Sequence, residues 1–205
     1  MRIGIIGPTG AGKTLLSKKL AAYYHAKLIE QATEKNEYLP HFYKDKETFA
    51  LLSQTAFYSS LFLSSILNKD NPNIVADETI FGNLAYTEIL RLCGIMTATE
   101  AALTFSVSED HMRRLPSYDL HIVLVRKEEE LMEIVRKSSR PYEKDQDEYF
   151  EFVFGAYYDT VKRIFKNYKI PDSKILWLPV HDLNDDEEIK SIIAKIDAMQ
   201  ITTSR

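Results

Sequence analysis

Residues 7 to 14 read Gly7, Pro8, Thr9, Gly10, Ala11, Gly12, Lys13 and Thr14. They follow the apolar run Ile3 to Ile6 and open into a helical pattern from Leu15 to Tyr24. A strand that delivers the chain to a glycine turn at the start of a helix makes an anion site, because backbone N–H groups and the helix N-terminus converge there. Gly7, Gly10 and Gly12 leave room for phosphate oxygens. Lys13 brings a point charge to the outer phosphates, and the Thr14 hydroxyl is a Mg2+ ligand. The spacing and the Lys-Thr ending separate this run from a chance glycine turn. The whole of it is expected to hold ATP or another nucleoside triphosphate.

Two carboxylates stand at comparable places, Glu30 after one apolar run and Asp77 after another. A carboxylate ending the strand beside a phosphate loop is a usual Mg2+ partner, so Asp77 joins Thr14 as a metal candidate. Asp77 also suits a helix N-cap, and Glu30 suits a solvated strand end.

These groups need a frame. Strands are expected at Arg2 to Ile6, Lys27 to Glu30, Ile74 to Asp77, Asp119 to Val125 and Lys174 to Val180. Between and after them run helical patterns: Lys13 to Tyr24, Lys46 to Leu67, Phe81 to Leu92, Thr99 to Arg113, Glu128 to Lys137, Tyr149 to Asn167 and Asp186 to Met199. Strand and helix in alternation imply a parallel sheet with helices on both faces, a three-layer α/β fold. The Lys46 to Leu67 segment is apolar nearly all round and is expected to be buried on several sides. The polar connector Ser138 to Gln146 is a lid candidate.

With 205 residues the chain suits one domain. A net charge of -4 and a pI near 5.8 argue against nucleic acid as a partner, which favours a clustered basic face. No leader pattern or bilayer-spanning run is read, which with the lone Cys93 points to the cytoplasm and away from a membrane. Cys93 reads as a small buried apolar side chain.

The block after Glu30 contains Asn36 to Asp45 (Asn-Glu-Tyr-Leu-Pro-His-Phe-Tyr-Lys-Asp) and then Phe49 to Gln54. It resembles the deoxynucleoside kinase family, in particular the bacterial deoxyadenosine and deoxyguanosine kinase branch. The resemblance extends to Asp77-Glu78-Thr79, Tyr118-Asp119-Leu120 and Arg140-Pro141-Tyr142-Glu143. It implies a P-loop NTPase fold with a lid at about 138–146, and phosphoryl transfer from ATP to the 5′-hydroxyl of a purine deoxynucleoside. By position, Glu30 resembles the general base, Gln54 the base-reading amide, Tyr43 and Glu143 the pair on the sugar 3′-hydroxyl, and Arg140 a lid arginine closing on phosphate. Asn83 occupies a position beside the base. Phe57 and Phe81 are candidates for the walls of the base pocket. The resemblance further implies a homodimer, or a heterodimer with a paralogue.

Several positions depart from the family pattern. Glu78 stands where the family has an arginine, Gln31 replaces a proline, and Leu61 and Asn83 replace an Arg and an Asp. Ile134 and Ser138 stand where the lid has arginines. An arginine clamp is worth ~10³–10⁵ in rate, and a carboxylate about 5 Å from phosphate charge is repelled by roughly 3 kcal/mol at an effective dielectric near 20. Three readings stay open. They are an active deoxynucleoside kinase, a nucleotide-binding regulatory paralogue with weakened catalysis, and a kinase for another small hydroxyl or monophosphate acceptor.

Overall fold

The computed structural model describes residues 1–31, 33–137 and 140–203, apart from the side chains of Glu34 and residues 200–203. Five strands form one parallel sheet: β1 Arg2–Ile6, β2 Lys27–Ile29, β3 Ile74–Asp77, β4 Leu120–Val125 and β5 Ile175–Pro179, in the order β2-β3-β1-β4-β5. β1 and β3 are buried along their whole length and β4 nearly so, matching their unbroken apolar runs. Pro179 is accommodated because β5 is an edge strand.

The helices are α1 Lys13–Tyr23, α2 Leu39–Lys44, α3 Lys46–Leu67, α4 Ile80–Leu92, α5 Ala98–Met112, α6 Glu128–Arg136, α7 Asp147–Asn167 and α8 Asp186–Thr203. Right-handed crossovers decide their sides. The step from β1 outward to β2 places α1 on one face, and every later step runs the opposite way. This puts α3, α4, α5 and α7 on the other face. The contacts agree: α4 packs on α7, α5 and α3, while α1 packs on β3, β2 and β1. α8 joins the α1 layer, where the Tyr24 hydroxyl donates to Asp197 at 2.8 Å. The three-layer α/β architecture expected from the strand-helix alternation is therefore observed.

α3 is buried on several sides as expected, against α2, α4 and α5, while Leu52, Leu63 and Leu67 are exposed. Two expectations need correction. By length and composition alone α3 could also cross a bilayer, contrary to the sequence reading. Here it is a wall of the domain, packed on α2, α4 and α5 and carrying the buried Ser53 and Gln54. Cys93 is half-buried at the end of α4, with its thiol donating to the Leu90 carbonyl at 3.4 Å.

Because β3 and β4 flank β1, the chain switches direction beside β1. Crevices of this kind, beyond the carboxyl ends of parallel strands, are where such sheets bind ligands. The loop after β1 and Glu78, the residue after β3, open onto it.

Candidate active site

The loop from Gly7 to Thr14 turns back on itself, with the Ala11 N–H donating to the Pro8 carbonyl at 3.1 Å. Gly12 caps α1 with φ 98°, and a Cβ there would meet Leu183 at 2.6 Å, so glycine is required on both counts. No side chain caps α1 and its first turn has no acidic residue, which leaves the N–H groups of that turn facing the crevice. The Lys13 ammonium donates to the Gly7 and Pro8 carbonyls at 2.8 and 3.3 Å.

Thr14 Oγ1 donates to Asp77 Oδ2 at 2.6 Å. Asp77 is buried, and its Oδ1 has no hydrogen-bond partner. Burial raises its pKa, opposed by the Thr14 bond and by Lys13. An orphaned carboxylate oxygen beside a hydroxyl is a hard-oxygen donor set that fits Mg2+, which takes one or two protein ligands and completes its shell with water and phosphate. Among the described residues no cluster of three His, Cys, Asp or Glu side chains could hold a metal without such help.

Glu78 is the least expected member of the site. It is 2% exposed and has φ 95°, a left-handed conformation that strains a non-glycine residue by about 1–3 kcal/mol. Its Oε1 accepts from the Thr79 N–H at 2.9 Å, and its Oε2 lies 3.6 Å from the Lys13 ammonium. Gly82 makes room for it, since a Cβ there would sit 1.9 Å from Oε1. Burial pushes the Glu78 pKa up to about 7 against the pull of Lys13. Glu78 therefore does not turn away from the phosphate loop. Nor does Arg136 come to its side, because that guanidinium is bound to Asp147 at 2.6 Å near the surface.

A cavity of about 730 Å³ runs from the phosphate loop to a pocket between α2, α3 and α4. Ser53, Gln54, Asn83, Tyr43, Glu143 and Arg140 line it, as do Phe42, Phe57, Tyr86 and Tyr149. At its inner end Gln54 Oε1 accepts from Asn83 Nδ2 at 3.3 Å and from the Thr87 hydroxyl at 3.4 Å. Gln54 is left with its amide N–H to offer, and Asn83 with Oδ1, a buried acceptor without a partner. Tyr43 is buried, its ring stacked on Tyr142 at 5.4 Å, and burial holds its pKa well above the ordinary phenol value. Glu143 is buried in the turn Pro141–Glu143 and accepts from Arg140 at 2.9 Å.

Two of the candidate site residues lie off the cavity lining. Glu30 is exposed and paired with Lys18 at 3.3 Å, outside the cavity lining; Gln31 is the neighbour that faces in. Lys18 lies one helical turn beyond Thr14, and its charge draws the carboxylate outward. Phe81 packs against His121 and Phe165 in the core rather than in the pocket. Of the lid candidate, Ser138 and Ser139 lie outside the described residues. Its far end is tied down, since Gln146 accepts from Lys46 at 2.5 Å and donates to the Tyr43 carbonyl at 3.3 Å.

Two contributors escaped sequence reasoning. The Tyr86 hydroxyl accepts from the Thr9 N–H at 2.8 Å and fixes the tip of the loop. Its signal was helical spacing, three residues after Asn83 on one face of α4. Arg126 donates to the Ala11 carbonyl at 3.2 Å and the His181 carbonyl at 2.8 Å, a contact between distant segments that has no local signal.

The family model for deoxynucleoside kinases matches residues 3–201. The chain belongs to the deoxynucleoside kinase family. It is 27% identical over 171 residues to a deoxyguanosine kinase of Lactobacillus acidophilus, covering 80% of this chain and 73% of that protein. It is 25% identical over 202 residues to a deoxyadenosine kinase of Dictyostelium discoideum, covering 97% and 80%. A solved structure of M. mycoides deoxyadenosine kinase with dCMP and dCDP bound superposes with a TM-score of 0.78 at 20% identity, over 97% of this chain and 100% of that one. Membership in a deoxynucleoside kinase family makes nucleoside phosphorylation the coarse function.

Proposed function

We propose that the protein transfers the γ-phosphoryl group of ATP or another nucleoside triphosphate to the 5′-hydroxyl of a purine deoxynucleoside. The observation that carries this reading is a single cavity with the Lys13 loop and the Thr14–Asp77 pair at one end and the Gln54–Asn83 amide pair at the other. Residues 7 to 14 take the triphosphate. Thr14 and Asp77 would hold Mg2+, whose charge would offset that of the phosphate oxygens; Glu30 adds to the negative field, since its charge raises the Asp77 pKa. Tyr43 and Glu143 take the sugar, and Arg140 is placed to exchange the Glu143 carboxylate for a phosphate. The connector at about 138–146 acts as the lid of a single domain.

A donor beside an acceptor complements the N1 and N6 edge of adenine and the O6 and N1 edge of guanine. Cytosine offers the same order, so purine preference draws its support from the relatives named as deoxyguanosine and deoxyadenosine kinases. Incubating the purified protein with ATP, Mg2+ and each of the four deoxynucleosides, with monophosphate as the readout, tests the assignment. Purine monophosphates should dominate, and no monophosphate from any of the four would refute it. In the same assay Gln54→Leu should raise the nucleoside KM roughly 10–100-fold, because Asn83 and the base lose a buried partner, and leave the ATP KM nearly unmoved.

Leu52, Leu63 and Leu67 of α3 are exposed, as are Leu103 and Val107 of α5, the helix packed against it. Exposed apolar side chains on two packed helices support a homodimer, or pairing with a paralogue. Sedimentation should find twice the chain mass at micromolar concentration, and Leu63→Glu should return it to the monomer.

A further inference from the structure

We infer that Glu78 selects the class of acceptor, admitting a neutral deoxynucleoside hydroxyl and turning away a 5′-monophosphate by like charge. The inference rests on the deoxynucleoside reading and deepens it. Glu78 sits where β3 gives way to α4, between the phosphate loop and the helix that carries Asn83 and Tyr86 into the cavity. A nucleoside whose base meets Gln54 and Asn83 must bring its 5′ end past this carboxylate to approach a phosphate held by Lys13.

The carboxylate cannot move aside. Oε1 is held by the Thr79 N–H, the carboxylate fills the space that a Gly82 side chain would take, and the side chain is buried. Oε2 lies toward Lys13, and Glu78 lines the cavity. Lys13 at 3.6 Å is its counter-ion, yet Lys13 is also the cation that the triphosphate needs. Once the triphosphate has engaged Lys13, the charge of Glu78 is turned toward the acceptor. A hydroxyl can donate a hydrogen bond to Oε2. A phosphate dianion can only accept, and it adds two negative charges at that point.

The same geometry disfavours the product, since the monophosphate formed carries the charge that Glu78 opposes. The protein should therefore release deoxynucleoside monophosphate readily and be weakly inhibited by it.

Calorimetry at pH 8 in saturating non-hydrolysable ATP analogue and Mg2+, with deoxyadenosine and deoxyguanosine, their 5′-monophosphates and their neutral 5′-sulfamoyl esters, provides the test. The wild type should bind the nucleoside and the sulfamoyl ester more tightly than the monophosphate. Glu78→Gln should tighten monophosphate binding at least ~10-fold relative to nucleoside binding, whereas Glu78→Asp, which keeps the charge, should preserve the wild-type order. Equal wild-type affinity for monophosphate and sulfamoyl ester would overturn the inference even if Glu78→Gln failed to fold. So would a folded Glu78→Gln protein with unchanged discrimination. Failure of both free nucleosides to bind would instead refute the deoxynucleoside reading, and this inference would fall with it.

Discussion

Lys13→Ala should lower turnover by about 10²–10³ or more and weaken triphosphate binding at least tenfold, because removing one preorganised cation from developing charge already has an effect of that order. The surroundings make the loss larger here. Lys13 is the cation facing the buried Asp77 and Glu78 carboxylates, and Arg140, the lining arginine, is engaged by Glu143. Without Lys13, triphosphate would meet the Glu78 carboxylate without the cation that stands beside it. The fold should survive, since Glu78 keeps its bond from the Thr79 N–H and its place beside Gly82. The double variant Lys13→Ala with Glu78→Gln should consequently bind triphosphate better than Lys13→Ala alone, a non-additivity expected of residues in contact. Calorimetry on the three proteins at pH 9, well above the Glu78 pKa of about 7, checks this. Equal binding by the single and double variants would show that Glu78 does not act through charge.

What could be read in the sequence was whatever is local. The apolar runs of β1, β3 and β4 gave the sheet, and the crossovers gave its sides. The glycine loop placed Lys13 and Thr14, and a carboxylate at the end of β3 placed Asp77. Gln54 was legible because an amide among apolar residues on a buried helix must find partners, and it found Asn83 and Thr87. The orientation of Glu30 was not legible, because a strand end fixes the backbone but leaves a long side chain to choose between the crevice and Lys18, with which it pairs. Glu78 posed the converse problem. Its type suggested repulsion from phosphate, while its burial depends on a positive φ and on the missing side chain of Gly82, neither of which has a spacing signature. Arg126 joins segments that only the folded sheet brings together.

A fall in pH from 7.5 to 4.5 should destabilise the protein through His121, at the other end of the sheet from the site. His121 lies on β4 among Phe81, Phe165 and Tyr118, 2% exposed, with Nδ1 unpartnered. Burial, helped by the nearby charge of Lys174, lowers its pKa to about 4. The unfolded chain protonates this group near 6.5, so its contribution to stability is complete above that value. It is lost progressively as pH falls from about 6.5 to 4, amounting to about 2.5 kcal/mol at pH 4.5. For a chain of this size that corresponds to roughly 5–10 °C in Tm. Asp77 and Glu78, with pKa values raised by burial, act in the opposite sense and stabilise the fold as pH falls, so the raw Tm profile mixes both signs. The His121→Gln variant separates them, because it keeps the two carboxylates and removes the titrating ring. Its Tm loss between pH 7.5 and 4.5 should be smaller than that of the wild type by that amount, and parallel losses in the two proteins would show that His121 is protonated in the folded state.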